Sequence, residues 1–403
     1  MQPTSHFPRP LEANGYVQSL LGLTPPDFWS YGFLYLAAPP GTGKSDFLAY
    51  DLVPALMAHG ALPVCVTTAF DQPFTPGELI ADAIERAIAI CEKRPAPDSP
   101  TLGLASVDTA RRRKVHWSTL RTRGELNFAS ALRRLHQIAN KPIVLVIDNA
   151  HHARAGAPGR MAIAAIKAAR FELHRDDHIT VFLLMIGSDK ERLRRIEEAL
   201  HGRIWATLLS QLPPLQDTFV RKIAVDISIT HPSDTPLDVA RLIDAFKLFD
   251  SQPSLFVDAI SRASSRLSDL HAVGIEACIL QASKQYQTDQ DSLKDACFGS
   301  LTPLSRAILT QIFESVNRFE PFQPRTLVLY CNRLGAKVTA AHVQSAMTGL
   351  CRRTPALIWS WKKGGYAIAD DAWRRWYERR VSEKNWPPPE TTTRALCIKN
   401  TDT

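Results

Sequence analysis

The chain has 403 residues, 45% hydrophobic and 22% charged, with a net charge of +8, enough for two or three domains that each bury a core. No apolar run approaches the ~18 residues of a membrane-crossing helix, and residues 1–10 lack a basic segment before an apolar one, so no secretory leader is expected. Seven scattered cysteines with no C-x-x-C pair point to reduced thiols in a cytoplasmic protein, against a disulfide framework or a zinc site.

In chain order, residues 1–30 read as an irregular or short-helix entry, broken at Pro25-Pro26. Residues 32–37 form a short apolar strand that runs into Pro39-Pro40-Gly41-Thr42-Gly43-Lys44-Ser45, and residues 46–57 form a helix. A Gly-rich turn at a helix N-terminus aims backbone amides and the positive dipole end at an anion, as in a phosphate-binding loop. Pro40, Gly41, Thr42 and Gly43 would make the cradle. Lys44 would reach the β and γ phosphates of ATP, and the Ser45 hydroxyl would bind Mg²⁺. Ala38 stands where the pattern G-x-x-x-x-G-K-[ST] has its first Gly, which alanine can replace if its φ is negative.

Residues 62–68 are a second strand. Residues 76–91 are a helix opened by Thr75 as N-cap, with Pro76 at its first position. Residues 93–124 show no clear period. Within them Arg111 to Lys114, Arg121 and Arg123 give six basic residues and no acidic one, which a DNA-contacting insertion and a solvated loop explain equally well. A helix over 126–139 leads to a third strand, 143–147, that ends in Asp148. An apolar strand ending in a carboxylate, about a hundred residues after the phosphate loop, is the arrangement that holds the water shell of Mg²⁺. Asn149 follows where a base that orients the attacking water would be Glu. An amide positions water but accepts no proton, so ATP hydrolysis is expected to be slow or absent, unless another carboxylate stands in. His151-His152 has no third ligand spaced for a metal and reads as a loop or helix start.

A helix over 160–173, a strand over 180–186, a charged helix over 190–200 and a strand over 207–212 complete the first region. Strands alternating with helices, with continuous apolar strands, predict an α/β fold: a parallel sheet with helices on both faces. Ser188, after the fourth strand, is placed to sense a γ-phosphate. Arg203, before the fifth, could act as a finger on a neighbouring subunit's nucleotide; a turn serine and a solvated arginine are the plainer readings. The predicted domains are a P-loop core over 1–214, an all-helical unit over 215–299, a winged helix over 300–386 and a disordered tail over 387–403.

The winged helix rests on helices at 303–315, 324–334 and 340–353, then a strand, a Gly turn and a strand over 357–368. Residues 1–300 balance 32 basic against 32 acidic residues, while 301–403 hold 16 against 8. The whole excess lies in the last quarter, which suggests double-stranded DNA as partner. Arg352 and Arg353 at the end of the third helix, and Lys362 and Lys363 at the wing tip, would touch it. A helix over 373–380 adds four arginines. A basic surface kept for solubility, or a winged helix that contacts only protein, fits the same numbers.

P-P-G-T-G-K-S, I-V-L-V-I-D-N-A-H-H, F-L-L-M-I-G-S and the H-G-R before L-P-P-L together resemble an AAA+ ATPase. The nearest branch is that of origin-recognition proteins, helicase loaders and transposon target-selection ATPases. The resemblance covers roughly residues 30–290. It implies an ATPase core with a helical lid, nucleotide sites shared between the subunits of a homo-oligomer, and no membrane association. It gives Lys44, Ser45 and Asp148 the nucleotide and metal roles, Ser188 that of first sensor and Arg203 that of finger. The lid turn that often carries a phosphate-sensing Arg is here Asp250-Ser251-Gln252-Pro253, so Gln252 replaces it. A DNA-associated nucleotide switch in transposition, replication loading, plasmid maintenance or defence is the expected function. A signalling ATPase or a nucleotide-binding scaffold with an unidentified protein partner is the alternative.

Overall fold

The computed structural model describes residues 6–23, 32–68, 74–93, 121–122, 125–152, 156–189, 193, 196, 208–230, 236–265, 274–315, 319–360 and 365–388. The chain divides into two compact units, Met1–Leu215 and Gln216–Thr403.

In the first unit, β1 (Phe33–Ala37), β2 (Leu62–Thr67), β5 (Ile143–Asp148), β6 (Val181–Gly187) and β7 (Leu208–Gln211) form one sheet in the order β2-β5-β6-β1-β7. Every pairing in it is parallel. Along β1 the side chains alternate between two cores, because successive strand residues face opposite ways. Phe33, Tyr35 and Ala37 pack on one side and Leu34 and Leu36 on the other. The first face is covered by α4 (Pro76–Lys93), α5 (Phe128–Ala139) and α6 (Gly156–Asp177). The second is covered by α1 (Pro10–Leu21) and the segment after the phosphate loop: α2 (Lys44–Phe47), a π-helical turn (Leu48–Leu52) and α3 (Val53–Ala58). Thr75 and Glu78 cap α4 reciprocally: Glu78 N–H donates to Thr75 Oγ1 at 3.3 Å, and Thr75 N–H donates to Glu78 Oε2 at 2.9 Å.

Two elements differ from expectation. Residues 10–21 are a regular helix, begun by Pro10 and closed by Gly22 in the left-handed region. Residues 121–126 carry a two-stranded antiparallel pair, β3 (Arg121–Thr122) and β4 (Glu125–Leu126). Most of the basic segment 111–123 lies outside the described residues.

The second unit begins with four helices: α7 (Asp217–Thr230), α8 (Val239–Leu248), α9 (Pro253–Ser265) and α10 (Ile275–Gly299). Phe219, Phe246 and Phe256 meet at their centre, with ring centroids 5.3 to 6.3 Å apart. Then come α11 (Pro303–Glu314), α12 (Pro324–Leu334), α13 (Ala340–Arg352), the antiparallel pair β8 (Ile358–Ser360) and β9 (Tyr366–Ile368), and α14 (Ala372–Ser382). Ile308, Tyr330, Met347, Ile358 and Trp376 share one buried core.

Each of the four arginines of α14 has a partner within this unit. Arg374 donates to the carbonyls of Phe313, Ile312 and Ser315 at the end of α11, the nearest at 3.0 Å. Arg375 pairs with Asp250 at 2.9 Å, Arg379 with Asp291 at 2.6 Å, and Arg380 with Asp295. Trp376 Nε1 also donates to Asp295, at 3.0 Å. The arginines that this helix adds to the basic count thus have partners on the carboxylates of α10, the turn before α9 and the open carbonyls of α11.

Candidate nucleotide site

Parallel strands of this order carry their ligand sites at the carboxyl ends of the strands, and the sequence motifs gather there. Gly41 and Gly43 take φ of 74° and 77°, the left-handed values that a side chain disfavours. Ala38 is not among the positive-φ residues, so alanine suffices there. Its N–H donates to Gly187 O at 3.1 Å, which ties the start of the loop to the end of β6. Within the loop, Thr42 Oγ1 donates to Pro39 O at 2.7 Å and Lys44 Nζ donates to the same carbonyl at 2.7 Å. Lys44 is buried, and burial lowers its pKa to about 8 against the opposing pull of Asp148.

Asp148 ends β5 and is also buried, which raises its pKa; Asn149, Ser45 and Lys44 pull the other way. Its Oδ2 accepts from Ser45 Oγ at 3.3 Å and its Oδ1 from Asn149 N–H at 2.8 Å. A hydroxyl and a carboxylate side by side fit Mg²⁺, which keeps most of its waters and takes one or two protein oxygens beside those of phosphate. Among the described residues no group of three His, Cys, Asp or Glu could hold a metal, so a zinc-type site is not formed there. Asn149 has φ 53°, a left-handed conformation that Asn adopts more readily than Glu. Thr68, just after β2, fixes this corner by donating from Oγ1 to the carbonyls of Asp148 at 3.1 Å and Asn149 at 2.8 Å.

Ser188 follows β6, which lies between β5 and β1, so it stands between Asp148 and the phosphate loop in the order of strand ends. Its Oγ is 3.3 Å from His151 Nε2. A Cβ on Gly187 would meet His151 Nδ1 at 2.9 Å, so the glycine makes room for the imidazole. Gln252 lies in the second unit, in the turn between α8 and α9, and its side chain bonds Tyr286. Arg352 and Arg353 are exposed at the end of α13, and Arg353 donates to Cys297 Sγ at 3.3 Å. Arg203, Lys362 and Lys363 lie outside the described residues.

Two site neighbours have no motif signal in the sequence. Thr68 is legible only once strand order is known. Arg9 is the second. It is 6% exposed, and its guanidinium donates to Thr42 O at 3.1 Å and Pro213 O at 3.2 Å.

Neither the family models nor the curated proteins that were searched give a match. Solved structures do. A Walker-type ATPase of Pyrococcus abyssi superposes with a TM-score of 0.50 at 15% identity, over 91% of this chain and 95% of that one. The fold is that of a Walker-type ATPase. The ORC2 protein of Aeropyrum pernix, solved in its ADP form, also gives a TM-score of 0.50, at 14% identity over 95% of this chain and 96% of that one. In this fold the loop of residues 38–45 and Asp148 take their places at the ends of β1 and β5.

Proposed function

We propose that the chain is an AAA+ ATPase of the origin-recognition type, a nucleotide-dependent switch that acts with DNA. The observation that carries this is the meeting of the phosphate loop with Asp148 through Ser45, 3.3 Å apart although 103 residues separate them in sequence. Similarity to a Walker-type ATPase and to an ORC2 protein solved with ADP supports the nucleotide. Gly41, Thr42, Gly43 and Lys44 would bind the phosphates of ATP, and Ser45 and Asp148 would hold Mg²⁺. That ion would neutralise charge developing on the phosphate oxygens. Asn149 orients water without taking its proton, so turnover is slow. Ser188 contacts the γ-phosphate, and Arg203 serves a neighbouring subunit in a homo-oligomer.

In the C-terminal region, helices α11 to α13 and the β8–β9 pair support a winged helix. Arg352 and Arg353, with Lys362 and Lys363, are its phosphate contacts. Duplex binding followed by anisotropy at ~50 and ~200 mM salt tests this, with and without MgATP. Several phosphate contacts predict a loss of orders of magnitude in affinity between those salts, and a nucleotide effect absent from Lys44→Ala. Salt-independent binding, or none, would favour the reading in which this region contacts protein.

A further inference from the structure

The segment before α1 is clamped onto the phosphate loop, and nothing in the motif reading uses it. Besides its bonds to Thr42 O and Pro213 O, Arg9 donates its backbone N–H to Asp51 Oδ1 at 3.0 Å. Its guanidinium lies over the Phe47 ring, 5.5 Å from the centroid. A Cβ on Gly43 would come within 3.4 Å of Arg9 Nη2. Asp51 is itself buried, in the π-helical turn that follows α2, and its other oxygen is 3.1 Å from His6 Nε2. One extra residue in a helical turn redirects side chains, and here Asp51 points at the strap of residues 6–9. Arg9 therefore joins three pieces of backbone: the loop at Thr42, the end of the β7 segment at Pro213 and, through Asp51, the helical segment after the loop.

The peptide whose carbonyl is fixed is the one between Thr42 and Gly43. Its amide, on Gly43, belongs to the row that faces a phosphate in such loops. Holding the carbonyl of a planar peptide sets the direction of its N–H. A guanidinium suits the task because its rigid fork reaches two acceptors at once, which an ammonium does not do in fixed geometry. A buried cation bonded to the loop's own backbone also adds positive potential where the ligand carries negative charge.

We propose that Arg9 is a positioning residue of the nucleotide site, bridging the carbonyls of Thr42 and Pro213 so that the loop's amides are set for phosphate before the ligand arrives. This rests on the nucleotide reading of the loop. The test is the affinity of the full chain for ADP, by titration with a fluorescent ADP analogue, for wild type, Lys44→Ala, Arg9→Ala and Arg9→Lys, beside thermal melts without ligand. The proposal expects both Arg9 variants to bind at least ~tenfold more weakly, by analogy with loss of one well-placed interaction, while Arg9→Lys melts close to wild type. Lysine keeps the charge and loses the bridge, so a merely electrostatic or structural role would leave its affinity intact. Wild-type affinity in Arg9→Lys overturns the proposal and spares the nucleotide reading. Absence of ADP binding by wild type overturns both. If Arg9→Ala does not fold, Arg9→Lys alone decides, with amide hydrogen exchange at residues 41–45 as its second readout: faster exchange is expected, and unchanged exchange contradicts the bridge.

Discussion

Lys44 and Asp148 are buried opposite charges whose pKa values move toward each other, and this has a measurable consequence. Burial takes Lys44 down to about 8 from its ordinary 10.5. With the folded-state value below the unfolded one, the cost of burying this cation is fully present below pH 8 and is relieved as pH rises above it. A phosphate ligand favours the ammonium form. Nucleotide binding above pH 8 is thus expected to take up a proton and to weaken as pH rises. Calorimetry of ADP binding in buffers of different ionisation heat reads that proton directly: uptake should grow as pH rises through about 8, and binding with no proton uptake above that pH would contradict it.

Asn149 supports a second prediction at this scale. Its φ of 53° makes Asn149→Glu a strained substitution, costing about 1 kcal/mol and visible as a lower melting temperature. Asn149→Gly should be tolerated. A sharp rise in turnover by a fully stable Asn149→Glu would contradict this account of the position. The residues with motif spacing, Lys44, Ser45 and Asp148, were legible in the sequence because their chemistry fixes their neighbours along the chain. Arg9 and Thr68 were not, since each acts on a segment between 33 and 204 residues away, or across strand ends whose order the sequence does not print.

Among the elements, α14 shows how composition misleads. Its arginines raise the charge of the last quarter of the chain, yet Arg375, Arg379 and Arg380 face Asp250, Asp291 and Asp295. Asp291 is 8% exposed, so Arg379→Ala leaves a poorly solvated carboxylate and should cost about 1–2 kcal/mol, below the range for fully buried pairs. Denaturant unfolding measures it. If the winged-helix reading holds, Arg352→Ala and Arg353→Ala should each lower the slope of log affinity against log salt for duplex DNA by about one. Arg375→Ala and Arg380→Ala should leave that slope alone. Equal effects from both sets would mean that α14 is part of the DNA surface after all. Period and caps made most helices readable, α12 to the residue. The sequence pattern offered a short helix or irregular chain over 1–30 and did not bound α1, whose start at Pro10 has no side-chain cap. It missed the π-helical turn, which no periodicity announces.

At the level of the molecule, the parallel sheet was readable from its continuous apolar strands, and the β2-β5-β6-β1-β7 order brings the predicted motifs to one end of it. The charge asymmetry was readable as a number but not as a surface. Its meaning depends on which cations find internal partners, and that is a property of packing. The division after Leu215 separates a unit that carries the phosphate loop from one that carries the turn at 250–253 and the basic helix end. The proposed switch requires nucleotide bound to the first.

The measurement that tests this most directly is equilibrium titration of the purified chain with MgATP, beside Lys44→Ala, by calorimetry. The account predicts saturable binding at one site per chain, lost in the variant. Equal binding by both proteins, or none by the wild type, would contradict a nucleotide site at residues 38–45.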